Sequence, residues 1–156
     1  MDYNINELSE DEQIFLVSTN WSFITKISKP SEAVQLAAVR QFGGAIESIK
    51  DPSEAAQLDV VQKNGFSIQY IETPSEAVQL AAVRENGRAI LHIDDPSEAV
   101  QLAAVRENGF AIRYINNPSN AVQLTAVQSN PSVIKYIDNP SDEHRTYANL
   151  IKLGQI

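Results

Sequence analysis

A proline recurs every 22 residues along this chain, and each proline begins another copy of one sequence unit. The recurrent prolines are Pro30, Pro52, Pro74, Pro96, Pro118 and Pro140. Residues 74–87 and residues 96–109 are identical to each other. A fixed period of about 20 to 50 residues is typical of proteins that stack one small structural unit on the next. The repeat therefore predicts an array in which each unit buries apolar surface only against its neighbours.

The first half of each unit is predicted to be the longer of two helices. In the fourth unit counted from Pro30, we expect Asp95 to cap the helix, with Pro96 at its first position and Glu98 at its third. The helix continues through residues 99–107, and Gly109 is expected to end it in the left-handed conformation. The residues expected to cap the other helices are Asp51, Thr73, Asn117 and Asn139.

The second half of each unit, residues 110–115 in this copy, has two interpretations. Its aromatic and β-branched residues favour a strand, and strand-plus-helix units build leucine-rich horseshoes. However, Ile112 and Ile115 are three residues apart, which places them on one face of a helix but on opposite faces of a strand. We therefore predict an all-α fold, an α-solenoid of about seven 22-residue helix–turn–short-helix repeats.

The repeat also divides the chain into parts of a single helical-repeat domain spanning residues 1–156. Residues 8–29 are a degenerate repeat that we interpret as the N-terminal cap, and residues 1–7 are expected to be a frayed polar leader. Residues 30–139 contain five full repeats, and residues 140–156 form a truncated C-terminal cap.

Two positions in the last units carry predictions of their own. Pro131 replaces the recurrent glycine and cannot adopt a positive φ, which predicts a different turn after Ser129 or Asn130. At the end of the chain, Leu150 and Leu153 are expected either to fold back over the preceding unit or to form a homodimer contact. Fold-back is favoured because terminal units must close the core of an array, so the protein is expected to be a monomer or a homodimer.

The core is expected to form between the two helices of each unit. Leu102 and Val105 on the long helix should meet Ile112 and Ile115 on the short one, and small alanines should let neighbouring helices approach closely. The recurrent glutamine, Gln101 in this unit, is expected to form a ladder of hydrogen bonds to neighbouring units or connecting loops. The alternative is that the glutamines form a polar row that contacts a partner.

Composition excludes several classes of function. The chain has no cysteine, which removes disulfides, thiolate metal sites and thiol catalysis. Its net charge of −8 disfavours direct binding to nucleic acid, and no apolar run approaches the roughly 18 residues of a membrane span. The two histidines, His92 and His144, lack ligand spacing. We therefore expect a cytoplasmic protein that is not an enzyme and has no catalytic residue, metal or cofactor.

The unit resembles a known repeat through residues 101–105, Asn108-Gly109, Ile112 and Ile115. It is similar to a family of short tandem helical repeats of unknown function, found in bacterial, phage and large-virus proteins. The resemblance covers roughly residues 8–156 and departs at Trp21 and Pro131 and in the last unit. It implies an interaction scaffold and supplies no functional residues.

Positions that vary between units are the candidates for recognition, because recurrent positions of a repeat scaffold serve packing. One varying column contains tyrosines and a histidine, and arginines are expected to flank it on the same face. The candidate residues for binding a protein partner are Tyr70, His92, Tyr114, Tyr136, Arg84, Arg106 and Arg113. Tyrosine and arginine are enriched at binding hot spots. The alternative is that the tyrosines simply cover the short helices.

Acidic residues gather at the unit junctions, and they are expected to form a second face of opposite sign. This face contains Glu72, Glu76, Asp94, Asp95 and Glu98. It favours an alternative function, that of an anti-CRISPR-like inhibitor carried by a phage or mobile element and acting in the host cytoplasm. Such an inhibitor would block a nucleic-acid-binding host defence protein by imitating a polyanion.

Overall fold

The structure is a computed structural model, and it describes residues 4–155. It is an α-solenoid of about seven repeats, and no strand occurs in this part of the chain. Between residues 4 and 155, seven α-helices alternate with seven 3₁₀-helices, which we number in chain order. The α-helices are α1 (Glu10–Thr19), α2 (Glu32–Gln41), α3 (Glu54–Lys63), α4 (Glu76–Glu85), α5 (Glu98–Glu107), α6 (Asn120–Ser129) and α7 (Asp142–Lys152). The 3₁₀-helices are η1 (Ile5–Glu7), η2 (Trp21–Lys26), η3 (Gly43–Ser48), η4 (Gly65–Tyr70), η5 (Gly87–His92), η6 (Gly109–Tyr114) and η7 (Pro131–Tyr136).

The helices form two layers. Each α-helix packs against the α-helices of the adjacent units, and from η2 onward each 3₁₀-helix packs against the 3₁₀-helices of the adjacent units. The prediction of helix for the second half of the unit is confirmed, but its 3₁₀ geometry was not predicted. A 3₁₀-helix has three residues per turn, so isoleucines three apart, such as Ile90 and Ile93, both point into the core.

The core contains two valines and one alanine of α5 where the sequence predicted a leucine. Val100, Ala104 and Val105 of α5 are completely buried, and Ile112 is almost so. The prediction that Leu102 belongs to the inner seam is wrong, because Leu102 is only half-buried at the surface of the α layer. The long helix turns its smallest apolar residues inward, and its leucine lies between adjacent α-helices.

The predicted helix caps are also wrong by two positions. Ser97 is the cap residue of α5, and its Oγ accepts a hydrogen bond from the backbone N–H of Val100 at 3.4 Å. Asp95 instead has a φ of 48°, and Asn117 and Asn139 have similar values. Asp and Asn tolerate this left-handed region better than most residues. They reverse the chain after the 3₁₀-helix, and the proline then leads into the serine cap.

The glycine that follows each α-helix serves close packing and not the predicted left-handed turn. Gly109 begins η6, and the turn before it is made by Asn108 with φ −147° and ψ 105°. The Asn108 side chain accepts a hydrogen bond from the N–H of Phe110 at 3.0 Å. A Cβ atom on Gly109 would lie 2.8 Å from the carbonyl oxygen of Ala126 in the next α-helix. Only glycine lets the two units approach this closely.

The turn at Pro131 is the same as the turn at Gly109, so the prediction of a different turn is wrong. Helix α6 ends at Ser129 as expected, and Asn130 then adopts φ −153° and ψ 107°, close to the values at Asn108. An extended ψ is what a residue before proline prefers. Pro131 is the first residue of a 3₁₀-helix, where its fixed φ fits and its missing N–H has no helical partner to lose.

Two ladders of side-chain hydrogen bonds recur along the array, the first within units and the second between them. Every recurrent glutamine donates from Nε2 to the carbonyl of the proline five residues earlier, as Gln101 does to Pro96 at 2.9 Å. This confirms the hydrogen-bond ladder predicted for the glutamines. The second ladder was not predicted. Cap serines donate to the first glutamate of the preceding α-helix, as Ser97 Oγ does to Glu76 Oε1 at 2.5 Å.

The N-terminal end is more ordered than the sequence predicted. Residues 1–3 of the expected leader lie outside the described residues, but Ile5–Glu7 form η1. Asn6 donates to the carbonyl of Lys26 at 3.2 Å and accepts from the N–H of Ser28 at 2.8 Å. Ile5 lies 22 residues before Ile27 and packs against the core, so the repeat register continues back into the leader.

The C-terminal unit consists of α7, and its apolar residues are only partly covered. His144 takes the position of the buried valine and is 1% exposed. Leu150 and Ile151 are half-buried, whereas Leu153 is 69% exposed just after the helix. The prediction that Leu153 folds back over the preceding unit is therefore wrong, and Ile156 lies outside the described residues. Whether this end forms a homodimer contact remains a prediction.

Candidate functional site

The same groove recurs between successive connecting loops, the segments that join a 3₁₀-helix to the following α-helix. We name three of these grooves by their tyrosines. The Tyr70 groove lies between the loops that follow η3 and η4, the Tyr114 groove between those that follow η5 and η6, and the Tyr136 groove between those that follow η6 and η7. In each, isoleucines, a proline and a recurrent glutamine belong to one unit, and the tyrosine belongs to the next. The framework is thus constant, and the remaining lining residues vary.

His92, Tyr114 and Tyr136 each pack on the second residue of the preceding 3₁₀-helix, whereas the equivalent neighbour of Tyr70 is a glycine, Gly44. The His92 ring meets the Phe66 ring edge-on at 5.8 Å between centroids, and the Tyr136 ring meets the Phe110 ring at 6.1 Å. At Tyr114 the equivalent neighbour is Arg88, whose guanidinium is 3.5 Å from the phenol oxygen. The column therefore contributes to packing between units, as the alternative interpretation of the tyrosines held.

The tyrosines nevertheless keep much of their surface open. Tyr70 is 42% exposed and Tyr136 is 38% exposed, while Tyr114 is half-buried. An aromatic ring that is fixed at one edge and open on its face offers contact area at little cost in conformational entropy. The column can thus both support the array and contact another molecule.

Two cations of the chain itself lie over the Tyr136 ring. The guanidinium carbon of Arg113 is 4.8 Å from the centre of the Tyr136 ring, and the ammonium of Lys135 is 4.9 Å from it. Both distances are within the range of cation–π attraction. The repeat places Glu47 and Gln69 at the corresponding positions around Tyr70. The Tyr70 groove therefore has the same ring without these cations.

The charged residues that line the grooves also differ, and the Tyr70 groove has the most carboxylates. Three carboxylates, those of Glu47, Asp51 and Glu72, line the Tyr70 groove against the single ammonium of Lys50. Asp94 and Asp95 line the Tyr114 groove, and the Tyr136 groove combines Arg113 with Asp138. The expected separation into a tyrosine face and an acidic face is wrong in this respect, because acidic loop residues and tyrosines line the same grooves.

Two acidic residues of the predicted second face have structural partners. Glu76 accepts the Ser97 hydroxyl, and Glu98 accepts the Ser119 hydroxyl at 2.5 Å. These glutamates stand at the beginning of their α-helices, where a carboxylate also interacts favourably with the helix dipole. Their recurrence is therefore explained by the stacking of units.

Two of the predicted arginines lie away from the tyrosine column. Arg84 and Arg106 line a different groove, on the α layer, together with Leu80 and Leu102. The prediction that all three arginines flank the tyrosines is thus wrong for these two, and right in position only for Arg113. The reason is that α and 3₁₀ segments form separate layers. The half-buried leucines of this second groove had been assigned to the core.

An ion-pair network marks the third unit of the α layer. Asp59 replaces the small residue found at this position in the neighbouring units, and it contacts Arg40 at 3.2 Å and Lys63 at 2.5 Å. Partial burial of Asp59 opposes its ionisation, but the hydrogen bonds and charges of Lys63 and Arg40 outweigh this and lower its pKa. These are the only ion pairs in the described part of the chain.

The remaining chemistry of the described residues is sparse. No three His, Cys, Asp or Glu side chains between residues 4 and 155 converge to form a possible metal site. None of the helices in this range is both long and apolar enough to span a membrane. His92 lies in the tyrosine column, while His144 is buried in α7, where its Nδ1 accepts a hydrogen bond from the N–H of Ser141 at 3.2 Å.

Comparison of the chain with protein-family models, with curated proteins and with solved structures found no match.

Proposed function

We propose that the chain is a non-enzymatic scaffold that binds a protein partner along its tyrosine grooves. The main support for this proposal is that one groove recurs along the array. Its isoleucines, proline and glutamine are the same in each copy, whereas the residues around the ring differ in charge. A row of similar but distinguishable subsites suits an elongated polypeptide partner.

The exposed aromatic rings support the same proposal. Tyrosine is among the residues most enriched at binding hot spots, where truncation costs about 2 kcal/mol or more, which is roughly thirtyfold in affinity. Tyr136 combines a fixed edge with an open face, which is the arrangement expected of a preorganised contact, and the Tyr70 ring is 42% exposed.

The experiment has two steps. A pull-down with the full chain, followed by mass spectrometry, would identify the partner, and calorimetry would then compare variants against it. A variant that combines Tyr70→Ala, Tyr114→Ala and Tyr136→Ala should bind at least about thirtyfold more weakly. A matched variant with Leu80→Ala and Leu102→Ala, on the α layer, should bind as the parent does. Unchanged affinity of a folded triple-tyrosine variant would contradict the proposal.

The polyanion-mimic function is a second candidate, and one observation favours it. Glu72, Asp94 and Asp95 are exposed, and none has an ion-pair partner in the described part of the chain. These carboxylates are available to a basic surface, such as the nucleic-acid groove of a host defence protein. Reversing the three charges should then abolish binding, while the tyrosine substitutions should not. Binding should also weaken in high salt and compete with DNA or RNA.

A further inference from the structure

We propose that the Tyr70 groove is a subsite for a cationic side chain, preferably an arginine, carried by an extended peptide segment of the partner. This inference rests on the proposed function and specifies the chemistry of its partner. It is drawn from a comparison of the chain with itself. The tyrosine ring has cations of the chain over it in one groove, which we call the filled form, and has none from the described residues in another, which we call the open form.

The filled form is the Tyr136 groove. There the guanidinium of Arg113 and the ammonium of Lys135 lie 4.8 Å and 4.9 Å from the ring centre. These side chains come from the last turn of the preceding 3₁₀-helix and from the residue before the tyrosine. The fold thus brings the cations at these two positions to the face of the Tyr136 ring.

The open form is the Tyr70 groove. Its two corresponding positions carry Glu47 and Gln69, and the ring is 42% exposed. A carboxylate therefore lines the groove at the position from which Arg113 reaches the ring in the filled form. Together with Asp51 and Glu72, Glu47 gives this groove three negative charges against one positive charge. An incoming cation would find both an aromatic face and carboxylates.

A buried polar atom in the same groove also points to a ligand with hydrogen-bond donors. Gln57 lines the groove and donates from Nε2 to the carbonyl of Pro52 at 2.9 Å, but its buried Oε1 has no hydrogen-bond partner in the described chain. In the preceding unit, the equivalent oxygen of Gln35 accepts the N–H of Ser53 at 2.7 Å. Arginine is the side chain that can stack on a ring and donate to several acceptors at once.

The spacing of the grooves defines the form of the peptide. Adjacent helices in such arrays stand about 8–10 Å apart, so Tyr70 and Tyr114, two units apart, are separated by about 16–20 Å. An extended peptide rises about 3.3 Å per residue and covers this distance in about five or six residues. Asp94 and Asp95 make the Tyr114 groove the second acidic subsite. The preferred ligand therefore carries two arginines separated by that number of residues.

The test uses a fluorescein-labelled glycine–serine peptide with two arginines six positions apart, and fluorescence anisotropy with the full chain. Two control peptides replace both arginines with lysine or with glutamine. We expect the arginine peptide to bind more tightly than the lysine peptide, and the glutamine peptide not to bind. Equal binding of all three peptides would overturn the proposal.

Glu47→Arg is the decisive variant, because it introduces the cation found at the equivalent position of the filled groove. It should weaken binding of the arginine peptide at least about fivefold, since one cation–π contact and one charge attraction are lost. Glu143→Arg is its matched control. Glu143 is exposed on α7 and lines none of the grooves, and its replacement changes the net charge by the same amount. Equal weakening by the two variants would show unspecific charge attraction only and would refute a subsite at Tyr70.

A reciprocal variant, in the Tyr136 groove, tests whether removing a cation from a tyrosine ring creates a site for the peptide's arginine. Arg113→Glu removes a cation from the Tyr136 ring and should tighten binding of the arginine peptide at least about twofold. Unchanged or weaker binding would contradict the inference. Both positions naturally carry different residue types in different units, and circular dichroism would verify that the variants fold. A result in which Glu47→Arg leaves peptide binding unchanged, while the triple-tyrosine variant no longer binds the natural partner, would refute the cationic subsite and would support the scaffold proposal.

Discussion

Replacing one recurrent glycine by alanine should have opposite effects in two units of this array. In Gly87, a Cβ atom would lie 2.5 Å from the carbonyl oxygen of Ala104 and 3.0 Å from the backbone nitrogen and Cβ of Asn108. In Gly43, at the equivalent position two units earlier, no atom lies within 4 Å of the added Cβ. Neither glycine has a positive φ, so backbone strain is the same in both.

The loss of stability expected for Gly87→Ala depends on which atoms would have to move to accommodate the added Cβ. The Ala104 carbonyl accepts the N–H of Asn108 at 2.9 Å, which is the last hydrogen bond of α5. Relieving the contact means separating two units or breaking the end of this helix. Overpacking of this kind costs about 1–3 kcal/mol. At Gly43, alanine should instead stabilise by about 0.4–1 kcal/mol, because it restricts the unfolded chain without a clash.

The assay is urea unfolding followed by far-UV circular dichroism, with both variants compared with the parent chain. For a slope of about 2 kcal/mol per molar urea, Gly87→Ala should lower the midpoint by about 0.5–1.5 M. Gly43→Ala should raise the midpoint by about 0.2–0.5 M. Equal midpoints for the two variants would refute the argument that close approach of the units, rather than backbone freedom, requires the glycine.

Three further predictions concern the framework. Ser97→Ala removes a helix cap and a hydrogen bond between units and should cost about 0.5–2 kcal/mol in urea unfolding, whereas Ser97→Thr should recover most of it. Ile90→Ala, at a buried site, should cost about 2–5 kcal/mol, and Leu102→Ala, at a half-buried site, should cost clearly less; the reverse order would restore the leucine to the core. Asp59 has a lowered pKa, so its contribution to stability is present above the pKa of the unfolded chain and is lost as pH falls through the folded pKa. Compared with the parent in unfolding scans, Asp59→Ala should therefore lose less stability on acidification, and identical pH profiles would contradict the role of its two basic partners.

The sequence was sufficient for the architecture because its period is regular and its isoleucines are three residues apart. Both features constrain the backbone without knowledge of distant contacts. The local roles of Asp95 and Gly109 were misassigned for a common reason. Residues that tolerate left-handed backbone and residues that cap helices overlap strongly in type, so the aspartate, serine and glycine of one unit admit several assignments. Only the φ angles and the contact with the next unit distinguish them.

The sequence was sufficient to identify the column of residues that lines the candidate site, but not to identify which other residues lie on the same face. The varying column that contains Tyr70, Tyr114 and Tyr136 does line a repeated groove. The arginines at 84 and 106 were placed beside it only because they vary in a similar way. A 22-residue period states which residues are equivalent, but it does not state which layer each position faces. That depends on the 3₁₀ geometry of the second segment, which turns successive residues by more than an α-helix does.

Hydrogen bonding between units explains why some positions recur and others vary. The glutamine and the cap serine each satisfy a backbone group and contact a second unit or loop, so a change at either leaves a polar group unpaired. The side chain at position 47 and its equivalents forms no such bond in the described chain, and it is free to be acidic, neutral, apolar or basic.

The recurrent glycine position can also form a hydrogen bond to the next α-helix, and Pro131, which replaces the glycine in one unit, cannot. The N–H of Gly65 donates to the carboxylate of Glu85, and the N–H of Gly109 donates to the hydroxyl of Ser129 at 3.1 Å, each acceptor being at the end of the next α-helix. In the next unit the acceptor position is Ile151, whose side chain accepts no hydrogen bond. The corresponding donor position is Pro131, which has no N–H to satisfy. In this unit the donor and the acceptor are lost together, whereas Gly43 keeps its N–H although the equivalent residue of α3 is Lys63, which has no acceptor.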